Sequence, residues 1–174
     1  FDASVFALQY NNRIGRITRI DDLGKTITVK TNVGNSLSTG FEAVVDIDPV
    51  KKYSKSSRWG LPMFVSYSFT NANYGDYYIS TKNAAGKYDS FNLKGNAVEN
   101  APQDILRAGI GYQWASKNHP QRKFIVQCQF SHISGCYSDA NNTLAASSNG
   151  VTGFIPAYSV WDINSSYTVS KNVS

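Results

Sequence analysis

Tyrosines and lysines gather in one stretch of this chain. Between Ala72 and Gln103 stand Tyr74, Tyr77, Tyr78, Lys82, Lys87, Tyr88 and Lys94. Lysine supplies charge, and tyrosine supplies a rigid surface that can donate or accept a hydrogen bond. Together they could grip an anionic ligand. The plainer alternative is a solvated loop whose rings pack among themselves.

No catalytic constellation accompanies them. There is no nucleophile elbow, HExxH or P-loop, and the Asp21-Asp22 pair sits in turn composition. The chain is therefore not expected to be an enzyme, and no cofactor is implied. The only histidines are His119 and His132, and there is no CxxC, so no metal site is expected. Asp139, Asn141 and Asn142 have the composition of a cation site but not EF-hand spacing; turn chemistry explains them better. The Asn-x-Ser/Thr matches at Asn141, Asn164 and Asn172 read as chance. Cys128 and Cys136, on one extended strand, would stand about 26 Å apart, whereas a disulfide needs Cα atoms within ~7 Å. Two free thiols are expected, Gly135 being the only candidate break between them.

The net charge of +5 does not indicate nucleic-acid binding. Its cations fall into separate connectors, Lys51, Lys52, Lys55 and Arg58 in one and Lys117, Arg122 and Lys123 in another, and no reading motif goes with them.

The elements that must position these residues are strands. Period-2 alternation dominates, and no segment has a 3.6-residue period. Six long strands are predicted. The first runs from Phe1 to Asn12, with Phe6, Leu8 and Tyr10 on one face. The second, Leu37 to Asp48, sets Leu37, Phe41, Val45 and Ile47 against Ser36, Ser38, Glu42 and Asp46. The third, Gly60 to Asn71, sets Met63, Val65, Tyr67 and Phe69 against Ser66, Ser68 and Thr70. The fourth, Asp104 to Ser116, sets Leu106, Ala108, Ile110, Tyr112 and Trp114 against Arg107 and Gln113. The fifth, Lys123 to Tyr137, sets Phe124, Val126, Cys128 and Phe130 against Gln127, Gln129 and Ser131. The sixth, Phe154 to Thr168, puts Trp161 and Tyr167 on one side and Asp162 and Asn164 on the other. A turn at Ser170-Lys171-Asn172 follows.

These strands are roughly twice the usual ~5–6 residues. Short connectors (48–59, 117–122, 170 onward) alternate with long ones (12–34, 72–103, 138–153), so all the long ones fall at one end. The first long one contains a hairpin signal of its own, Ile17–Ile20, Asp21–Gly24, Thr26–Val29. Long strands, sided loops and an apolar face backed by a polar one suit an outer-membrane barrel, whose apolar face meets lipid and whose polar face meets a wet lumen. Trp59, Trp114, Trp161, Tyr53, Tyr67, Tyr112 and Tyr167 would then belong to interfacial girdles; in a soluble β-sandwich they would be core. Glu42, Asp46, Arg107, Gln113, Asp162 and Asn164 would face the lumen; Arg107, Gln113, Glu42 and Asp46 could line the transport path or bond to the plug, but wall-to-wall salt bridging that only keeps the lumen polar is the favoured role.

Four segments carry a resemblance: Thr31–Gly34 followed by Thr39–Glu42; Asn100–Pro102 ahead of a strand; Tyr137–Thr143; and Phe154–Asp162. In order and spacing the chain resembles the C-terminal part of the barrel of TonB-dependent outer-membrane receptors of the ferric-citrate or siderophore type. The resemblance implies an all-β antiparallel meander, residues 1–174 being part of a plugged barrel of about 22 strands, with the plug and final strands outside it. It implies an active-transport receptor in the bacterial outer membrane. The partners would be an iron chelate or another scarce nutrient, outer-membrane lipid, and the TonB inner-membrane complex through the plug region. Tyr74, Tyr77, Tyr78, Lys82, Lys87 and Tyr88 would be the candidate ligand contacts. The alternatives are a soluble secreted β-sandwich binding module and a passive porin-like channel.

Overall fold

The structure is a computed structural model that describes residues 1–21, 23–54, 58–119 and 121–169. Asp22, Lys55, and the expected turn Ser170-Lys171-Asn172 with its Asn172 motif lie outside the described residues. In chain order the elements are β1 (Asp2–Ile20), β2 (Thr26–Ile47), α1 (Pro49–Tyr53), β3 (Trp59–Gly60), β4 (Met63–Lys82), β5 (Tyr88–Asn92), β6 (Asp104–Ala115), β7 (Lys123–Ile133), β8 (Cys136–Tyr137), β9 (Phe154–Ile155) and β10 (Tyr158–Thr168). One antiparallel sheet runs β1-β2-β4-β6-β7-β10, with β3 beside β6 and β5 beside β4, while β8 and β9 form a small pair of their own. This is the expected meander.

Period-2 alternation sorts the side chains. Directly paired residues share a face, so one outer row runs Val45, Val65, Ala108, Phe130, Trp161 across β2, β4, β6, β7 and β10. The next runs Ile47, Met63, Ile110, Cys128, Ile163. No second sheet covers this face among the described residues: Val5 is 84% exposed, Ile110 46% and Ile163 75%. An aromatic row closes it at the short-connector end, Trp59 opposite Trp114, Trp114 opposite Phe124, Phe124 opposite Tyr167. Polar pairs close it at the other end. The Tyr67 hydroxyl donates to Asp104, and His132 Nδ1 lies 2.9 Å from Ser159 Oγ. Between these limits the apolar stretch of β6, Leu106 to Trp114, matches the ~9–11 residues of a tilted spanning strand.

Several boundaries differ from expectation. The 12–34 connector is mostly strand: β1 and β2 stay paired up to Ile20 opposite Thr26, because Ile17, Val29 and Ile27 continue the alternation. The hairpin signal within it holds, with Asp21 Oδ1 accepting the N–H groups of Leu23 and Lys25 at 3.0 and 2.7 Å. β4 likewise continues to Lys82 and returns as β5, which leaves a turn at 83–87 and a coil at 93–103. The third strand is interrupted at Leu61-Pro62; Pro62 has no N–H for the ladder, though its carbonyl accepts from Gly111 N at 2.8 Å. The fifth strand stops at Ile133, where Ser134 and Asp104 exchange two bonds of 2.9 Å. Cys136 thus leaves the strand that carries Cys128, and both thiols are free.

Phe6, Leu8 and Tyr10 share one face, as expected; they pair with Gly40, Ser38 and Ser36, so that face is the polar one, and Val5 opposite Phe41 carries the apolar one. The reason lies in close packing across the strands. A Cβ on Gly40 would lie 2.7 Å from the Phe6 ring, and one on Gly109 2.3 Å from the ring of Phe64, its direct partner. Each ring covers a cross-strand glycine, which shelters an aromatic on a polar wall.

Candidate functional site

Three strands kink at one level, above the end of the apolar band. Asn12 has φ 57° and Gly34 φ 144°. The β1–β2 register slips between Tyr10 and Ile14, and the β2–β4 register slips between Gly34 and Ser36. Bulges re-aim side chains, and here they turn Arg13 toward the polar face. Its Nη1 donates to Ser36 Oγ at 2.8 Å, and its guanidinium lies 5.3 and 5.9 Å from the ring centroids of Tyr74 and Tyr77. Those rings stack at 4.1 Å, and the Tyr74 hydroxyl donates to Glu99. Ser36 and Tyr74 are each 2% exposed and, with Val33 and Ala72, form the buried core of the described residues. Sequence reasoning missed Arg13 and Glu99, since both fell in segments read as loops. The Asn11-Asn12, Gly34-Asn35 and Gly75-Asp76 pairs, one on each strand, were the available signal.

Two long connectors are joined beside this node. The Asn142 side chain bonds both ways to the backbone of Ala97, accepting from its N–H at 2.8 Å and donating to its carbonyl at 2.9 Å. Asn96 Nδ2 donates to the Ala140 carbonyl at 2.9 Å. Asp139 Oδ1 accepts from Asn141 N and Thr143 Oγ1, both at 3.0 Å. Asp139, Asn141 and Asn142 therefore do turn and loop-joining work. Among the described residues no group of three or more His, Cys, Asp or Glu side chains could hold a metal.

The six candidate ligand contacts do not share one surface. Tyr74 and Tyr77 stack on the polar-face side. Tyr78 opposes Asn92 and Lys82 opposes Tyr88, so Tyr78, Lys82 and Tyr88 project from the other face of the β4–β5 hairpin, and Lys87 sits in its turn. Lys94 lies 3.5 Å from Asp76. The Asn92 amide first, then the Lys94 charge, hold the Asp76 carboxyl below the usual range against a smaller opposing effect of desolvation.

The six lumen candidates do share a face, but the expected salt bridging across the wall is not formed: among the described residues the one ion pair is Lys94 with Asp76. Glu42 lies opposite Ser68, Asp46 opposite Phe64, Arg107 opposite Ser66 and Ser131, Asp162 opposite Gln129, and Asn164 opposite Gln127. An open concavity of about 360 Å³ lies along this face, with Ser4, Glu42, Ser66, Ser68 and Arg107 in its lining. Gln113 is engaged at the rim: its amide donates to Asp48 Oδ2 at 3.1 Å. Asp48 Oδ1 also caps α1 by accepting from Lys51 N at 3.0 Å, and takes Leu61 N at 3.1 Å. Desolvation raises the Asp48 pKa. The two backbone bonds, the Gln113 bond and the Lys51 charge outweigh that and leave it lowered.

The sequence profile of the "TonB dependent receptor-like, beta-barrel" family matches residues 1–174. The chain belongs to that family. It is a β-barrel wall of the bacterial outer membrane and part of a TonB-dependent transport receptor. No curated protein and no solved structure matches it.

Proposed function

We propose that the receptor imports an anionic iron chelate, of the siderophore or ferric-citrate kind, with the long-hairpin end of the wall outside the cell. The observation that carries this reading is the β4–β5 hairpin. It extends beyond the apolar band and brings Lys82, Tyr88 and Lys87 together at its tip, where charge and hydroxyl can meet a chelate. Tyr74 and Tyr77 act from behind, packed with Arg13 and Glu99, and hold the hairpin's base. The Glu42–Arg107 surface faces the plug across the lumen, and TonB acts through that plug. A sandwich module is not favoured, because among the described residues no second sheet lies against the apolar face.

The test is uptake by cells whose only route for the chelate is this receptor. Lys82→Gln with Lys87→Gln should weaken binding of ferric citrate and slow its uptake while leaving receptor abundance unchanged. Uptake of a neutral chelate should change less. Unaltered ferric-citrate uptake in the double variant would contradict the assignment.

A further inference from the structure

Above the apolar band the wall divides into two ribbons. The β2–β4 ladder ends at Gly34 opposite Tyr77. Beyond that rung β1 continues with β2 as far as Ile20 opposite Thr26, and β4 continues with β5 as far as Lys82 opposite Tyr88. A two-stranded hairpin is marginal by itself. The contacts at the rung therefore decide how far apart the two tips stand. Two glycines let the ribbons meet closely there: a Cβ on Gly34 would run into the Asp76 backbone, and one on Gly75 into the Asn35 side chain.

Arg13 bridges the two ribbons at this level. It stands opposite Gly34 on β1, and its guanidinium lies over the rings of Tyr74 and Tyr77 on β4, at 5.3 and 5.9 Å from their centroids. Its Nη1 is held by the buried Ser36 hydroxyl at 2.8 Å. No carboxylate lies within ion-pair reach of it: among the described residues the one ion pair is Lys94 with Asp76. Its charge is balanced indirectly. Glu99 accepts the hydroxyl of Tyr74. A phenol that donates to a carboxylate gains negative charge in its ring, and a richer ring holds a cation on its face more strongly. Cation, ring and carboxylate thus form a relay, in which Arg13 and Glu99 act on each other without contact. Glu99 lies in the coil 93–103, whose Asn96 and Ala97 are bonded to the 138–153 connector.

We propose that Arg13 is a positioning residue for ligand capture: through the Tyr74 ring and Glu99 it fixes the spread between the two hairpins, and so the place where Lys82, Lys87 and Tyr88 meet a ligand. The role in capture rests on the chelate reading above. The relay and the spread do not.

The experiment uses the complete receptor in detergent, cysteine-free except for spin labels on Lys25→Cys and Ser90→Cys, exposed positions on the two hairpins. The distribution of label-to-label distances reads the spread. It should be narrow in the parent and broad in Arg13→Gln. Arg13→Lys should restore it only in part, because an ammonium is not a flat group that can lie on two rings while bonding Ser36. Tyr74→Phe keeps the ring and removes the hydroxyl, and should broaden the distribution part way; it reads the relay even where the Arg13 variants fail to fold. Glu99→Gln should also broaden it, but should add nothing in a receptor that already carries Arg13→Gln, whereas independent packing effects would add. Arg19→Gln, farther along the same hairpin, should leave it narrow. Ferric citrate is the ligand probe. Arg13→Gln should lower its affinity several-fold with both lysines intact, while Lys82→Gln with Lys87→Gln should lower affinity and leave the distances unchanged. A distribution that stays narrow in Arg13→Gln or Tyr74→Phe, or additive broadening in the double variant, would overturn the relay. Broadening with full ferric-citrate affinity would overturn the positioning role. The lysine variant then locates the fault: lost affinity there spares the chelate reading, and full affinity there overturns both.

Discussion

Asn142 ties two loops together because its amide presents a donor and an acceptor side by side, as a strand backbone does. Asn142→Ala removes both bonds to Ala97. A net cost of about 1–3 kcal/mol is expected, and hydrogen exchange at the Ala97 amide should accelerate far more than exchange in β6. Asp48 makes a prediction with a sign. Its carboxyl is lowered in the folded wall and has its ordinary value when unfolded. Its contribution is therefore complete above the ordinary carboxylate value and is lost as pH falls through the folded one. Unfolding in detergent, followed against pH, should show an acid limb that Asp48→Asn flattens. Little of this was legible in the sequence. Asp139, Asn141 and Asn142 have turn composition, and the structure shows them in turn and loop-joining hydrogen bonds. That Asn142 reaches Ala97 depends on how two loops meet, which no local pattern encodes. Tyr74 and Tyr77 were found by residue type but not by role: a bulge decides which face a side chain takes, and bulges are set by pairing partners distant in sequence.

Strand existence and sidedness were the most legible features, because alternation is a local property. The expected strands present the expected faces. For the first, the sequence placed Phe6, Leu8 and Tyr10 on one face without saying which, and the register with Gly40, Ser38 and Ser36 makes it the polar one. Glycine opposite an aromatic is a readable sign only once the pairing is known. Strand ends were misjudged wherever hairpins continued the sheet above the membrane, since Asn, Gly and Tyr also compose loops. The faces predict a sided response to charge. Ile110→Arg puts a cation in the middle of the outward row and should cost about 2–4 kcal/mol in lipid vesicles, the midplane penalty. Asn164→Arg, on the polar face beside Gln127, should cost much less. Gln113 is a poor reference because it is bound to Asp48. Equal costs at Ile110 and Asn164 would mean the faces are not lipid and lumen.

At the scale of the whole molecule, the wall has an apolar face on which nothing packs among the described residues, and it belongs to a family of outer-membrane β-barrels. Among the described residues no helix is long and apolar enough to cross a bilayer; the family is a β-barrel, which crosses with strands. A chain in which so many outward rows are apolar buries them only when lipid is its solvent. The iron-chelate class came from the family resemblance and not from composition, because tyrosine and lysine can serve many ligands. The most direct measurement concerns Trp161, 67% exposed on the outward face, its ring tilted against that of Phe130 with centroids 4.8 Å apart. In the complete receptor, with every other tryptophan replaced by phenylalanine, its fluorescence should be strongly quenched by bilayers of brominated acyl chains. A companion receptor with Trp161→Phe and Asn164→Trp should be quenched weakly, because that ring lies on the lumen side. Strong quenching at 161 and weak quenching at 164 is the predicted result; equal quenching, or the reverse order, would contradict the membrane wall itself.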